Sequence, residues 1–234
     1  MSDPDDAPRG YASPPCLAHE IDPAYFDPLA VDPAQARDVA RWRKAERERL
    51  LAARRALRVA EREAVTAALA GHLSRLLAAR FGALGGRVIS GYWPIKGEFD
   101  LRPALAEWHG AGAIVALPVV EVKASPLVFR RWTPETRMVR GDWNIPVPPP
   151  EAERLAPEIA LAPLVGWALD ADGTGWRLGY GGGYFDRTLA ALDPRPFTIG
   201  VGLAAARLAT IYPQPHDVPL DAIVTEAGIE GGAA

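Results

Sequence analysis

The 234-residue sequence predicts an α/β fold: a largely parallel open sheet flanked by helices, in one domain behind an extended N-terminal lead. Three observations predict it. Beyond Gly85, short apolar runs are separated by polar segments of helical length, and strand, helix, strand in succession favours parallel pairing. Before Gly85 lie two long segments with apolar residues at helical spacing. A chain of this length, 49% hydrophobic, suits one α/β domain plus a tail, with no repeat and no second boundary to divide it.

Residues 1–32 read as the lead, because Pro4, Pro8, Pro14, Pro15, Pro23 and Pro28 and three Asp-Pro pairs favour turns over helix. The domain is expected over residues 33–230. Asp32 is a good N-cap and Pro33 a good first helical residue, so a helix opens there. Trp42, Leu50, Ala53 and Leu57 recur at helical spacing and are expected to face the core. A second helix is expected from Glu61 to Phe81, carrying Val65, Leu69, Leu73 and Leu76, with His72 at the edge of the core. Strands are expected at 87–93 (RVISGYW), 113–120 (AIVALPVV), 126–132 (PLVFRRW), 158–167 (EIALAPLVGW) and 197–203 (FTIGVGL). Residues 101–112 read as a crossover helix closed by glycine, and Tyr184 to Leu192 as another.

Composition excludes several function classes. A net charge of −3 gives no general affinity for nucleic acid. The single cysteine, Cys16, cannot form an internal disulfide, which suits a reducing compartment. No apolar run approaches the ~20 residues of a membrane span, and no signal peptide opens the chain. A cytoplasmic monomer without nucleic-acid or membrane partners is expected.

The chemistry concentrates in RLGYGGGYFDR, residues 177–187. Gly179, Gly181, Gly182 and Gly183 surround Tyr180, between an expected strand and an expected helix, where backbone N–H groups can converge on an anion. No Lys-Ser/Thr pair follows, so this is not a Walker A loop. Tyr184 stands where the last glycine of a dinucleotide fingerprint belongs. A flexible turn needing positive φ angles is the plain alternative. For Asp186 the plain alternative is a helix cap paired with Arg187.

This stretch resembles the signature of the 5-formyltetrahydrofolate cyclo-ligase (5,10-methenyltetrahydrofolate synthetase) family. GYWPIKGEFDLRPAL (91–105), VALPVV (115–120), WNIPVP (143–148) and PHDVPLDAIVTEAG near the C-terminus fall in that family's order, so the likeness spans about Arg41 to Gly228. The resemblance implies an ATP- and magnesium-dependent ring closure. ATP phosphorylates the N5-formyl oxygen of 5-formyltetrahydrofolate, N10 attacks the activated carbon, and 5,10-methenyltetrahydrofolate, ADP and phosphate result. Such chemistry needs positioning and charge stabilisation more than a protein nucleophile.

Carried over by motif, the resemblance implies that Arg177, Leu178, Gly179, Tyr180, Gly181, Gly182, Gly183, Tyr184 and Phe185 form the ATP-phosphate loop. Tyr180 to Tyr184 would also lie beside the folate. Arg177, Tyr184 and Asp186 would stand at the reacting centre. Asp186 and Asp221 would hold Mg²⁺, a hard cation that takes carboxylate oxygens, with Asp217 as the rival. Glu98 would accept hydrogen bonds from the pterin, Trp93 would contact it, and Trp143 would border it or simply pack.

Arg43, Arg47, Arg54 and Arg58 share one face of the first helix, a pattern usually read as a solvated stripe. The resemblance places Arg43 and Arg47 where the family holds a Lys and an Arg that reach ATP, with Lys44 one position late. The segment from Pro163 to Arg177 is longer than the family pattern. These departures leave a second expectation open: a relative that binds folate or nucleotide without turnover. An RNA contact through the basic helix is a weaker third, since stacking aromatics are missing.

Overall fold

Pro33 opens α1 (Pro33–Ala56), where its missing N–H costs no intrahelical bond. The computed structural model describes residues 33–231, so the expected lead over residues 1–32 and the Asp32 cap lie outside the described residues. The chain divides within α1 into two units, at Ala45 and Glu46. In the first, Val39 and Arg43 are buried, Trp42 is half-buried, Lys44 is exposed, and Arg41 pairs with Asp38.

In the second unit, α2 (Val59–Phe81) begins where the Glu61 carboxylate accepts from the Arg58 N–H at 2.8 Å. Leu69, Leu73 and Leu77 repeat every four residues and are fully buried, the spacing of one helix face. His72 is half-buried, at the edge of the core as expected.

Twelve strands follow in chain order. They are β1 (Val88–Ser90), β2 (Ile114–Val119), β3 (Val128–Arg131), β4 (Val139–Arg140), β5 (Pro146–Val147) and β6 (Arg154–Leu155). After these come β7 (Ile159–Pro163), β8 (Gly166–Leu169), β9 (Gly175–Leu178), β10 (Phe197–Val201), β11 (Ala222–Thr225) and β12 (Gly228–Glu230). Helix α3 (Arg102–Gly110) joins β1 to β2, and α4 (Tyr184–Ala191) precedes β10. The main sheet runs β12-β11-β10-β7-β1-β2-β3-β6. β11, β10, β7, β1 and β2 are parallel, whereas β12, β3 and β6 pair antiparallel at the edges. The largely parallel sheet expected from the alternation is therefore present.

Alternate residues on a strand face opposite sides of the sheet. Leu161 and Val224 join a core with α2 and α3, while neighbouring Ala162 and Ile223 join a second core with Leu50, Trp167 and Leu178. The chain leaves β1 through α3 to β2 on one side and later returns to β7 on the other. The order reverses between β1 and β7, and in open α/β sheets ligands collect outside the strand ends at such a point.

Two expectations need correcting. The apolar run 158–167 is not one strand. Leu164 N–H donates to Val201 at 2.9 Å, and Val165 N–H donates to Leu178 at 3.0 Å. Consecutive residues thus bond to the sheet and then to the β8–β9 hairpin, and the chain turns out of the sheet there. The extra length after Pro163 is that hairpin, its turn closed by Asp170 Oδ1 accepting from the N–H groups of Asp172 (3.1 Å) and Thr174 (2.8 Å). On α1, Ala53 is exposed, and the buried face carries Arg54 beside Leu50. The arginine stripe faces inward at Arg43 and Arg54, is half-buried at Arg47, and reaches solvent only at Arg58, which pairs with Glu61 at 2.6 Å.

Candidate active site

The loop after β1 reaches the switch point with Trp93 and Glu98. Glu98 folds back over a tight turn: Ile95 N–H donates to Glu98 Oε2 at 2.8 Å, and Glu98 N–H donates to the Ile95 carbonyl at 2.9 Å. The other carboxylate oxygen, Oε1, accepts from the Tyr180 hydroxyl at 2.9 Å. Glu98 is 7% exposed, and burial pushes its carboxyl up to about 7. The Ile95 N–H, the Tyr180 hydroxyl, and the cations Arg54 and Lys96 oppose that rise without cancelling it. Trp93 is half-buried, with the Arg102 guanidinium 4.4 Å from its ring centroid. The sequence places Glu98 in a turn; the structure adds that it is buried and tied to the glycine loop.

That loop joins β9 to α4. Gly181 has φ +99° and Gly183 φ +63°, backbone conformations that L side chains rarely adopt. Among the described residues, the N–H groups of Tyr180 through Phe185 donate to no protein acceptor. A run of N–H groups without protein acceptors at a helix N-terminus is a site suited to an anion. Arg47 Nε donates to the Gly179 carbonyl at 2.7 Å and tethers the start of the loop. Gly181→Ala is expected to weaken anion binding about tenfold or more while the melting temperature falls by only a few degrees, because the strain is confined to an exposed loop. Titration of ATP alongside thermal melting checks this; an unchanged affinity would leave the loop a plain turn.

Arg177 and Asp186 are buried and face each other across the loop, Arg177 Nη2 donating to Asp186 Oδ2 at 2.7 Å. The partner of Asp186 is therefore Arg177, not Arg187. Arg187 instead donates to the Gly182 carbonyl at 2.6 Å. The Arg177 guanidinium also lies 5.2 Å from the Phe185 ring centroid. Asp186 Oδ1 accepts no hydrogen bond among the described residues, which leaves one hard oxygen of a buried carboxylate without a protein partner. Leu178 is fully buried in the second core, so only its backbone is available to a ligand.

Asp221 makes no hydrogen bond with Asp186. It precedes β11, at the starting edge of the parallel strands, where its carboxylate accepts from Thr198 N–H at 2.7 Å and pairs with Arg195 at 2.8 Å. Asp186 sits at the start of α4. Leu220, the neighbour of Asp221, donates its N–H to the Gly175 carbonyl at 2.8 Å, two residues before the Arg177 that pairs with Asp186. Asp217 closes a turn, accepting from Gln214 N–H at 2.7 Å, and does not join Asp186 either. Among the described residues, no group of three or more His, Cys, Asp or Glu side chains could hold a metal.

Tyr184 is the hub of the outer rim. Its hydroxyl accepts from Ala124 N–H at 3.2 Å, the Trp143 ring meets it edge-on at 5.6 Å, and Arg187 lies 5.1 Å from its centroid. Trp143 is 64% exposed and is not part of the core.

Three residues of the site escaped the sequence reading as site residues. Arg54 reaches the Tyr180 hydroxyl at 2.5 Å, Lys96 lies 5.0 Å from the Tyr180 ring centroid, and Arg62 donates to the Gly97 carbonyl. The only signal was the helical spacing of Arg54 with Arg43 and Arg47. Among the described residues, no helix is long and apolar enough to cross a membrane.

Comparison with known proteins agrees with this geometry. The family model described as the 5-formyltetrahydrofolate cyclo-ligase family matches residues 39–226. A 5-formyltetrahydrofolate cyclo-ligase of Mycolicibacterium smegmatis is 33% identical over 187 residues, covering 76% of this chain and 91% of the relative. One of Escherichia coli K12 is 29% identical over 139 residues, covering 57% and 74%. The solved structure of Aquifex aeolicus 5,10-methenyltetrahydrofolate synthetase is similar at a TM-score of 0.67 and 28% identity, covering 82% of this chain and 95% of its own. That of Mycoplasma pneumoniae, at 0.61 and 23% with coverages of 79% and 98%, supports the fold.

Proposed function

The chain belongs to the 5-formyltetrahydrofolate cyclo-ligase family, and we propose that it closes the ring of 5-formyltetrahydrofolate to 5,10-methenyltetrahydrofolate at the expense of ATP, with Mg²⁺. One observation carries this reading. A run of unpaired N–H groups, suited to phosphate, is joined through the Tyr180 hydroxyl to Glu98, a buried carboxylate suited to a pterin N–H edge. The two recognition elements lie one hydrogen bond apart at the sheet's switch point, so both substrates can be held in reacting proximity.

In this reading the formyl oxygen attacks the terminal phosphorus of ATP and ADP leaves. N10 then attacks the activated carbon, loses its proton, and phosphate departs with the former formyl oxygen. The glycine-loop N–H groups from Tyr180 to Phe185 bind the phosphate oxygens, supported from behind by Arg47. Glu98 accepts from the pterin and fixes its orientation, and Trp93, Tyr184 and Trp143 offer flat apolar surface to the folate rings. Asp186, oriented by Arg177, is the residue that would hold Mg²⁺, which when bound offsets phosphate charge. Asp186 fits that role because it offers a hard oxygen with no protein partner beside the phosphate loop.

Pure protein mixed with ATP, Mg²⁺ and 5-formyltetrahydrofolate should develop the methenyl absorbance. A folded protein that binds both substrates and forms no product would establish the non-catalytic alternative. Arg47→Ala is expected to raise the ATP requirement about tenfold, the loss of one charge-assisted bond to the loop, with little change in the folate requirement. Equal effects on both substrates would remove Arg47 from the nucleotide side. Arg43 is buried, so its replacement is expected to lower the melting temperature as well.

A further inference from the structure

Arg54 touches all three loops that meet at the switch point. It is 4% exposed. Its Nη1 donates to the Leu164 carbonyl after β7 at 3.0 Å, and its Nη2 donates to the Lys96 carbonyl after β1 at 3.2 Å. The same Nη2 donates to the Tyr180 hydroxyl of the glycine loop at 2.5 Å. One turn into α2, Arg62 Nη2 donates to the Arg54 carbonyl at 2.8 Å and Nη1 donates to the Gly97 carbonyl, so both the helix end and the Glu98 loop are tethered.

Donor chemistry then fixes a proton. A guanidinium has five N–H donors and no acceptor, so the Tyr180 oxygen must accept from Arg54. The hydroxyl has one proton and two possible acceptors, Glu98 Oε1 at 2.9 Å and the Ile95 carbonyl at 3.5 Å. The nearer is a carboxylate, which makes the stronger bond. Glu98 Oε2 is already taken by Ile95 N–H. Arg54 Nε is buried without a partner, but every polar atom on the path from Arg54 Nη2 through Tyr180 to Glu98 has a defined role.

We propose that Arg54 is a positioning residue of the folate site: by donating to Tyr180 it commits the hydroxyl proton to Glu98, and so fixes the charge and direction of that carboxylate without meeting either substrate. The proposal rests on Glu98 being the folate's acidic partner. The charged and titratable groups facing Glu98 are Arg54 from α1, Tyr180 from the glycine loop, and Lys96 and Tyr92 from its own loop. Arg54 and Tyr180 both hold Glu98 below the value burial alone would impose. Lys96 acts in the same direction but is exposed, so solvent and salt screen it. Arg54 is screened by neither.

The test is a carboxyl-carbon NMR titration of ligand-free protein, with the Glu98 resonance assigned by its loss in Glu98→Gln. In wild type the midpoint is expected near 7. Arg54→Met and Tyr180→Phe should each raise it by about one unit. In the Arg54→Met background, Tyr180→Phe should move it less than half as far as in wild type, because the uncommitted hydroxyl no longer serves Glu98. Should Arg54→Met not fold, Arg54→Lys takes its place, since a point-charge ammonium cannot reproduce the fork to three acceptors. An unmoved midpoint in a folded Arg54 variant with a lowered melting temperature would make Arg54 a clamp on loop carbonyls and overturn the proposal. So would full additivity with Tyr180→Phe. Failure of wild type to form the methenyl product would instead strike the proposed reaction, and leaves the titration readable.

Discussion

Asp186→Asn should lower turnover at least ~100-fold at limiting Mg²⁺, about 2.7 kcal/mol of transition-state stabilisation, with the folate and ATP affinities falling far less. The carboxylate is buried at the start of α4, with Oδ2 held by Arg177 and Oδ1 taken by no other group among the described residues. Asn keeps the shape, and its carbonyl oxygen can still accept from Arg177 Nη2. It removes the formal charge that a magnesium ion and a transferring phosphoryl group require. It also strands the buried Arg177 cation without its counter-charge, so the apo protein should melt lower by several degrees. The two consequences separate by their metal dependence. Excess Mg²⁺ should restore part of the turnover and none of the apo melting temperature. Asp221→Asn is the comparison, because its carboxylate is already engaged by Arg195 and Thr198 N–H. It should lower stability while turnover of the folded enzyme stays within a fewfold of wild type. Turnover of Asp186→Asn within threefold of wild type at limiting Mg²⁺ would leave Asp186 as a structural partner of Arg177 alone.

The parts of the molecule that were legible in the sequence are those whose cause is local. β2, β10, α3 and α4 fall within a few residues of the apolar runs and helical segments that predicted them. The glycine loop announced itself because positive φ and unpaired N–H groups need glycine in a short span. What was not legible depends on partners far along the chain. Arg54 reads as one cation in a polar stripe until Leu164, 110 residues on, and Tyr180, 126 residues on, supply its acceptors. Periodicity marks which residues share a helix face but not whether that face is wet, and a face rich in arginine is ordinarily taken as wet. The β8–β9 hairpin was hidden for a related reason. The run 158–167 is apolar throughout, and only the bonds of Leu164 and Val165 to different strands reveal the turn. β11, Ala222 to Thr225, is a buried run of only four residues, short enough that Asp221 before it reads as site chemistry and not as a strand end. The pairing of Asp186 with Asp221 rests on the family resemblance, because two carboxylates far apart in the chain carry no local signal of a shared site.

Glu98→Gln should weaken 5-formyltetrahydrofolate binding roughly 10- to 100-fold above pH 7, the ~1–3 kcal/mol of a buried charge-assisted acceptor, and leave ATP binding within twofold. The loss should depend on pH in a definite direction. Burial raises the Glu98 carboxyl from its ordinary 4.5 to about 7, so wild type carries the charge only above that value. Below pH 6 the wild-type side chain is itself mostly neutral, and the difference between the two proteins should shrink towards nothing. Stability should move the opposite way. A carboxyl whose folded value lies above its unfolded value stabilises the fold fully below pH 4.5, and that contribution is lost as pH rises to 7. The loss is about 3 kcal/mol from a rise of this size. Gln does not titrate, so the ligand-free variant should equal or exceed wild type in melting temperature above pH 7 and lose the advantage below pH 5. Comparing the two proteins at each pH cancels the titration of every other carboxylate. A site that holds a buried charge against its own stability, and uses that charge for ligand, gives both signs at once. A core acid with no ligand role would give the stability difference without the folate loss, and an exposed turn acid would give neither.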